Sequence, residues 1–142
     1  MKGLSMVRLF LVLGCMAVFL GGCSRDPNVR KQKYFESGER YFEKGKYREA
    51  VIQYRNATEL DGSFSAAHYK LAESYMKMQD WQRAYMELTR TVELQPDNYK
   101  ARLEIANLLT AAGQPDQLKA AQDQVAVLIE KQPNDPDTHV AQ

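Results

Sequence analysis

Few side chains in this sequence have types and spacings that could carry out chemistry. The histidines are His68 and His139, and the cysteines are Cys15 and Cys23. Histidine is the side chain that titrates near neutral pH, but neither histidine belongs to a Ser/His/Asp arrangement or to a Cys/His metal spacing. The sequence also lacks a glycine-rich loop of the phosphate-binding type. It therefore predicts no catalytic residue, no metal and no cofactor, and a protein that is not an enzyme.

Cys23 has the clearest chemical context, because of what precedes it. A basic start is followed by an unbroken apolar run at residues 9–20, and then by Gly21, Gly22 and Cys23. A charged start, an apolar core and small residues at its end are the features of a secretory signal. The run is shorter than the roughly 20 apolar residues that a spanning helix needs. We therefore expect residues 1–22 to be an export signal that is removed.

Residues 20–23, Leu-Gly-Gly-Cys, resemble the lipobox of bacterial lipoproteins. The resemblance implies cleavage after Gly22 and acylation of Cys23. Each buried CH₂ contributes about 0.8 kcal/mol, so the two or three chains of a lipoprotein imply stable attachment to a membrane. Ser24 stands where lipoproteins of the inner membrane often carry aspartate, which favours the outer membrane in a Gram-negative source. The expected location is thus the bacterial cell envelope, with a lipid anchor.

The composition favours a folded, helical domain without a surface for nucleic acid. Hydrophobic residues make up 44% of the chain and charged residues 26%, and the net charge is +1. A net charge this close to zero argues against nucleic-acid binding. Residues 25–57 hold nine basic and five acidic side chains. This basic end either contacts anionic lipid head groups beside the anchor or is a solvated helix surface.

Residues 31–98 contain two copies of one sequence pattern, with a period of 34 residues. Small residues repeat at this spacing, as Gly38 with Ala72 and Ala50 with Ala84. A fixed period of this length predicts stacked helix pairs, none of which can bury its apolar face alone. Trp81 takes the place that Tyr47 holds in the first unit, and we interpret it as a packing residue rather than a ligand contact.

The third unit departs from the period. It starts at Tyr99, and its second half recovers the pattern only if three residues are inserted at 114–119, which we interpret as a longer turn. Residues 136–142 would open a fourth unit. They would then be the only cover for Val125, Leu128 and Ile129, so the last helix is predicted to associate with another copy or with a partner, unless the chain is truncated.

These units resemble the tetratricopeptide repeat, whose signature is an aromatic residue, Leu-Gly, Tyr, Ala, an aromatic residue and Pro. In the second unit the matching residues are His68, Leu71-Ala72, Tyr75, Ala84, Leu88 and Pro96. His68 is therefore interpreted as packing. The resemblance implies an all-α fold, an α-solenoid of antiparallel helix pairs with about three repeats plus the start of a fourth. The predicted boundaries are 23–30 for the acylated cysteine and its tether, 31–64, 65–98 and 99–135 for the repeats, and 136–142 for the incomplete unit.

In this family the first helices of successive pairs line a concave groove that receives a peptide. Carried over to this chain, the groove residues are Phe35, Glu39, Phe42, Glu43, Tyr69, Lys70, Glu73, Met76, Lys77, Lys100, Leu103, Glu104 and Asn107. Such a mixture suits a peptide with apolar anchors and flanking charges. The alternative for Phe35, Phe42 and Met76 is packing between helices. Some family members grip a C-terminal carboxylate with lysine, asparagine and arginine, but Phe35 and Glu39 stand at two of these places, which disfavours that role.

The resemblances together predict a membrane-anchored scaffold for protein–protein interaction. Its partners would be a protein or peptide in the groove and the membrane through the lipid, with no nucleic acid. Envelope assembly or export, of outer-membrane proteins, pili or polysaccharide, is the expected setting. The alternatives are an accessory subunit or N-terminal fragment of an exported enzyme, and a structural repeat protein that associates with itself.

Overall fold

Six helices and their connecting turns make up residues 26–131, the part of the chain that the structure, a computed structural model, describes. The helices are α1 (Pro27–Glu43), α2 (Tyr47–Leu60), α3 (Ser65–Lys77), α4 (Trp81–Leu94), α5 (Tyr99–Ala112) and α6 (Pro115–Lys131). Each helix packs on the next one along the chain. Helix pairs stacked in chain order form an α-solenoid. The predicted all-α fold is therefore confirmed, while the signal, Cys23 and the fourth unit lie outside the described residues.

Side-chain caps fix where several helices begin. The Asp26 carboxylate accepts a hydrogen bond from the backbone N–H of Asn28 at 2.8 Å, and Pro27 occupies the first helical position. Proline fits there because its missing N–H would have no partner within the helix. Residues 27–30 are therefore the first turn of α1, and the prediction that they belong to a tether is wrong. Asp80 and Asn98 cap α4 and α5 by accepting hydrogen bonds from the backbone N–H groups of Arg83 and Ala101, respectively.

The turn within each pair uses one repeated backbone conformation. Gly45, Gln79 and Gly113 are 34 residues apart and have φ values of +70°, +59° and +69°. This left-handed region costs a residue with a Cβ about 1–2 kcal/mol, and glycine adopts it freely. The second repeat therefore makes its turn with a strained residue where the other two use glycine.

Within each pair the two helices approach most closely at one repeated pair of positions. In the first repeat Gly38 lies against the ring of Tyr54, where an added Cβ would come within 2.4 Å of Cε1. In the second repeat the same places hold Ala72 and Leu88, which share one buried cluster. A larger residue on the first helix is thus matched by a smaller one on the second, which keeps the core filled at native density.

The three inserted residues of the third repeat lengthen a helix. The turn between α5 and α6 consists of Gly113 and Gln114 alone, and α6 begins at Pro115. Ala50 and Ala84 are each the fourth residue of their helix, whereas Ala121 is the seventh residue of α6. The interpretation as a longer turn is therefore wrong. Residues 115–117 are an additional turn of helix, begun by proline at its first position.

On the last helix, Val125 and Leu128 are only 7% and 1% exposed. The prediction that residues 136–142 are the only cover of this face concerns residues outside the described part of the chain and stays a prediction. Ile129 is partly exposed and helps to line a cleft of about 400 Å³ with Leu118 and Ala126. Self-association through this helix stays a prediction.

Candidate functional site

A charged cluster joins the first helices of repeats one and two. The Lys70 ammonium on α3 lies 2.9 Å from Glu73 Oε2 and 3.7 Å from Glu39 Oε1 on α1. The same ammonium sits 5.2 Å from the ring centroid of Phe42, within range of a cation–π interaction. Burial would lower the pKa of Lys70, but the hydrogen bond to Glu73 and the charges of both glutamates raise it. Lys70 is therefore a fixed cation that bridges two repeats.

The Glu39 carboxylate also holds Tyr54 of α2 in place. The Tyr54 hydroxyl donates a hydrogen bond to Glu39 Oε1, and the Tyr54 side chain is fully buried. Burial, followed by this hydrogen bond and the charge of Glu39, raises the pKa of Tyr54 well above its usual range. Tyr54 therefore stays neutral and acts as a donor. Glu39 thus links the exposed side of α1 to the core.

The aromatic residues predicted for the groove pack between helices. Phe35 lies 5.6 Å from the ring of Tyr54 and 5.0 Å from that of Phe64, and Phe42 lies edge-on to Tyr47 at 5.3 Å. Phe35, Phe42 and Met76 all pack partly buried against the buried cluster of the first two repeats. The structure thus supports the packing alternative for these side chains, and Phe35 cannot be replaced without disturbing the core.

Acidic side chains dominate the partly buried charges of this face. Burial, and then the charges of Glu73 and Glu104, raises the pKa of Tyr69 to about 12, so carboxylates from α3 and α5 both act on this ring. Among the predicted groove residues, the partly buried charged ones are Glu39, Lys70, Glu73 and Glu104. The partly buried charges of the predicted groove are thus three carboxylates and one ammonium, which together are net negative.

The remaining predicted residues lie on the same three helices without joining the cluster. Glu43, Lys77, Lys100 and Asn107 are exposed, and Leu103 is partly buried. Between residues 26 and 131, no hydrogen bond, ion pair or ring contact connects Lys77, Lys100, Leu103 or Asn107 to Glu39, Lys70 or Glu73. The structure therefore brings together the residues of the first two repeats more tightly than those of the third.

His68 holds two helices together. Its Nδ1 lies 2.6 Å from Glu87 Oε2 on α4 and its Nε2 lies 3.3 Å from the Gly62 carbonyl oxygen, with 13% of the side chain exposed. These contacts agree with the packing interpretation. In the described part of the chain, no three His, Cys, Asp or Glu side chains are grouped so as to hold a metal ion. None of the helices between residues 26 and 131 has the length and apolar character needed to cross a membrane.

Trp81 is the residue that sequence reasoning placed wrongly. The ring was expected to pack, as Tyr47 does, but 53% of Trp81 is exposed at the start of α4. It lines a cleft of about 430 Å³ with residues of α5 and with the additional turn of α6. The three-residue departure from the period was the signal in the sequence that this edge differs from the others.

Comparison with known proteins supports the repeat assignment. Residues 38–79 match a family model described as TPR repeat. Among curated proteins, DnaJ homolog subfamily C member 3 of Rattus norvegicus is 28% identical over 121 residues, which are 85% of this chain and 23% of the relative. The chain thus spans about a quarter of the length of that relative.

Solved structures share the fold at low sequence identity. The second TPR domain of human RPAP3, in complex with the HSP70 peptide SGPTIEEVD, has a TM-score of 0.72 and 21% identity, over 82% of this chain and 94% of that one. The first TPR of Spaghetti (RPAP3), bound to the HSP90 peptide SRMEEVD, has a TM-score of 0.68 and 21% identity, over 78% and 85%. The helix pairs, the 34-residue spacing and these matches together show that the described part of the chain has the all-α solenoid fold of tetratricopeptide repeats.

Proposed function

We propose that this chain is a lipid-anchored scaffold of the bacterial cell envelope that holds a peptide segment of a protein partner close to the membrane. The observation that carries the binding role is the partly exposed Glu39–Lys70–Glu73 cluster, which spans two repeats on the helices that face the predicted groove. A surface assembled from several repeats suits an extended partner.

The charge of this face favours a basic peptide with apolar side chains. Glu39, Glu73 and Glu104 are partly buried, and Lys70 is already paired with the first two. A carboxylate brought next to these side chains would meet like charge, which costs several kcal/mol, whereas lysine or arginine would find acceptors. The RPAP3 peptides SGPTIEEVD and SRMEEVD are acidic at their ends. The proposed partner of this chain differs from them in charge.

The anchor part of the proposal rests on residues 1–23. The basic start, the apolar run and the Leu-Gly-Gly-Cys segment resemble a lipoprotein signal, and Ser24 favours the outer membrane. Since α1 begins at Pro27, only residues 24–26 separate the acylated cysteine from the first helix. The proposed scaffold would therefore sit directly at the lipid surface, where a partner in export or assembly of envelope components would be held.

The binding role can be tested with a charge change that leaves the core intact. Glu43 on α1 and Glu49 on α2 are both exposed, but only Glu43 lies on a helix that faces the predicted groove. Affinity capture from envelope extracts with wild-type protein, Glu43→Arg and Glu49→Arg should yield a partner that the Glu43→Arg variant loses and the Glu49→Arg variant retains. Equal recovery with both variants would place the binding surface elsewhere.

The anchor is tested separately by Cys23→Ala. This change should move the protein from the membrane fraction to the soluble fraction, since the thiol that would carry the lipid is gone. Metabolic labelling with a fatty acid should mark the wild-type chain and not the variant. Tight membrane association of the Cys23→Ala variant would refute the lipoprotein role without bearing on the groove.

A further inference from the structure

A second concave surface lies on the edge of the solenoid, where the turns within the pairs are found. The start of α4, the end of α5 and the start of α6 enclose a cleft of about 430 Å³. The side chains that matter for its chemistry are Trp81, Tyr85, Leu108, Leu109, Asp116 and Gln117. None of them is among the predicted groove residues on α1, α3 and α5, so this cleft is distinct from the site described above.

The departure from the repeat period builds this cleft. Asp116 and Gln117 belong to the three residues by which α6 is longer than α2 and α4 at its start. Repeats one and two have no such turn. The residue in the place of Trp81 also differs, because Tyr47 lies edge-on to Phe42 at 5.3 Å while Trp81 is 53% exposed. The additional turn of α6 and the exposed ring of Trp81, both of which depart from the repeat, thus lie in the same cleft.

Two side-chain acceptors of the cleft, on Gln117 and Asp116, lack a partner among the described residues. Gln117 Oε1 is buried and has no hydrogen-bond partner among residues 26–131, so it lacks a donor. Asp116 is exposed and forms no ion pair with any described residue. A buried acceptor without a donor is unfavourable, so a ligand that donates a hydrogen bond to it gains binding free energy.

Between residues 26 and 131, no neighbouring charged side chain neutralises Asp116. At the start of α4 the Asp80 carboxylate pairs with Arg83, whose guanidinium lies 4.7 Å from the ring centroid of Tyr75 and is thus already engaged. Lys119 follows Asp116 by three residues on α6 and is exposed, but the two form no ion pair. Asp116 lies in the first turn of α6, where the helix dipole favours its charge, and no described side chain forms an ion pair with it, so its carboxylate can accept hydrogen bonds from a cation of a partner.

We propose that the cleft binds an arginine side chain of a protein partner. A guanidinium is planar and has five N–H donors, so it can stack on the exposed ring of Trp81 while donating to Asp116 and Gln117. The methylene groups of the arginine would lie against Leu108 and Leu109, which line the same cleft. A lysine ammonium offers a compact charge without the planar face, so it should bind less well.

Trp81 is the single tryptophan of the chain, so its fluorescence reports directly on the cleft. We would titrate the full chain with the peptide acetyl-Ala-Arg-Ala-amide and, as a matched control, with acetyl-Ala-citrulline-Ala-amide, which has nearly the same shape and no charge. The arginine peptide should change the emission in a saturable way, and the citrulline peptide should bind at least about tenfold more weakly. Equal responses to both peptides, or a response that never saturates, would overturn the proposal.

Variants on α6 identify the acceptors. Asp116→Asn should weaken binding of the arginine peptide by about fivefold, as expected for an exposed ion pair, and Gln117→Leu should weaken it as well. Asp123→Asn removes an exposed carboxylate from the same helix outside the cleft and should leave binding unchanged. Circular dichroism would show that each variant is folded. Equal affinity for Asp116→Asn and the wild type, or a loss with Asp123→Asn as large as with Asp116→Asn, would contradict the site.

Discussion

The ring of Tyr54 lies directly against Gly38, in the middle of α1. A Cβ on Gly38 would meet Tyr54 Cε1 at 2.4 Å, and Tyr54 is fully buried, so its ring has no free space to move into. Overpacking of this kind lowers the free energy of unfolding by about 1–3 kcal/mol. The better helix propensity of alanine offsets up to about 1 kcal/mol of this loss. Gly38→Ala should therefore lower the free energy of unfolding by about 1–2 kcal/mol, measured by urea denaturation.

The second repeat shows which substitution on the second helix should compensate for Gly38→Ala. Its pair at the same positions is Ala72 and Leu88, so Gly38→Ala combined with Tyr54→Leu copies a pair that already packs in this fold. The cost of the double variant should be smaller than the sum of the single costs by at least about 0.5 kcal/mol. Gly62→Ala is the control, because its Cβ would meet nothing closer than 4.0 Å. Strict additivity would show that the Gly38–Tyr54 contact is not the cause.

A turn substitution should stabilise the protein. Gln79 has a φ of +59° at the place where the other repeats have Gly45 and Gly113. Gln79→Gly should raise the free energy of unfolding by about 1 kcal/mol, since glycine adopts this conformation without the clash of a Cβ. The reverse change, Gly45→Gln, should lower it by a similar amount. Thermal or urea unfolding measures both, and a loss of stability in Gln79→Gly would contradict the explanation by strain.

The Lys70 cluster should contribute to stability as well as to recognition. Lys70→Met leaves Glu39 and Glu73 partly buried without their shared cation, and we expect a loss of about 1 kcal/mol that shrinks at high salt. Lys77→Met changes an exposed lysine on the same helix and should be neutral. Urea denaturation at low and high ionic strength makes the comparison. Equal stability of the two variants would mean that the cluster has no net structural role.

The contact between Lys31 and Asp61 predicts a pH dependence at low pH. Hydrogen bonds from Lys31 and then from Ser63 lower the pKa of Asp61 to about 2. Because an unfolded aspartate has a pKa of about 3.9, the unfolded state takes up the proton first as the pH falls. The stabilisation by Asp61 is therefore present above about pH 4 and is lost between about pH 4 and 2.

The variant Asp61→Asn tests this relation. Wild type should be more stable than Asp61→Asn at about pH 5, and the difference should become smaller as the pH is lowered to about 2.5. Asp97→Asn, which changes an exposed turn residue, should show no such trend. Urea denaturation at several pH values gives the free energies. A difference between wild type and Asp61→Asn that does not depend on pH would refute the assignment.

Because of the charge of its predicted groove, this chain should prefer different peptides from those that its structural neighbours bind. The peptide SRMEEVD, which the first TPR of Spaghetti (RPAP3) binds, should bind this chain at least about tenfold more weakly than the charge-reversed peptide SRMKKVK-amide. The difference should shrink with added salt. Fluorescence anisotropy with labelled peptides measures both affinities. Tighter binding of SRMEEVD would contradict the proposed preference for basic peptides.

Much of the fold could be predicted because the relevant interactions are local and repeated. Ala50, Ala84 and the turn at Gly45 recur at 34-residue spacing, and the two helices of each pair are joined by a turn of only two or three residues. The packing environment of the side chains in the predicted groove could not be predicted in this way. Whether Phe42 faces solvent or a neighbouring helix depends on how the pairs are stacked, and the structure packs it against Tyr47 and below Lys70.

By itself, the sequence determined the number and order of the helix pairs, because the alternation of small and large residues within a period dictates which faces must be buried. Only the tertiary structure decided what the three additional residues of the third repeat do. After Gly113, Pro115 is compatible both with a longer turn and with the first position of a longer helix. Packing of α6 on α5 stabilises the helix, and that extension places Asp116 and Gln117 beside the exposed ring of Trp81.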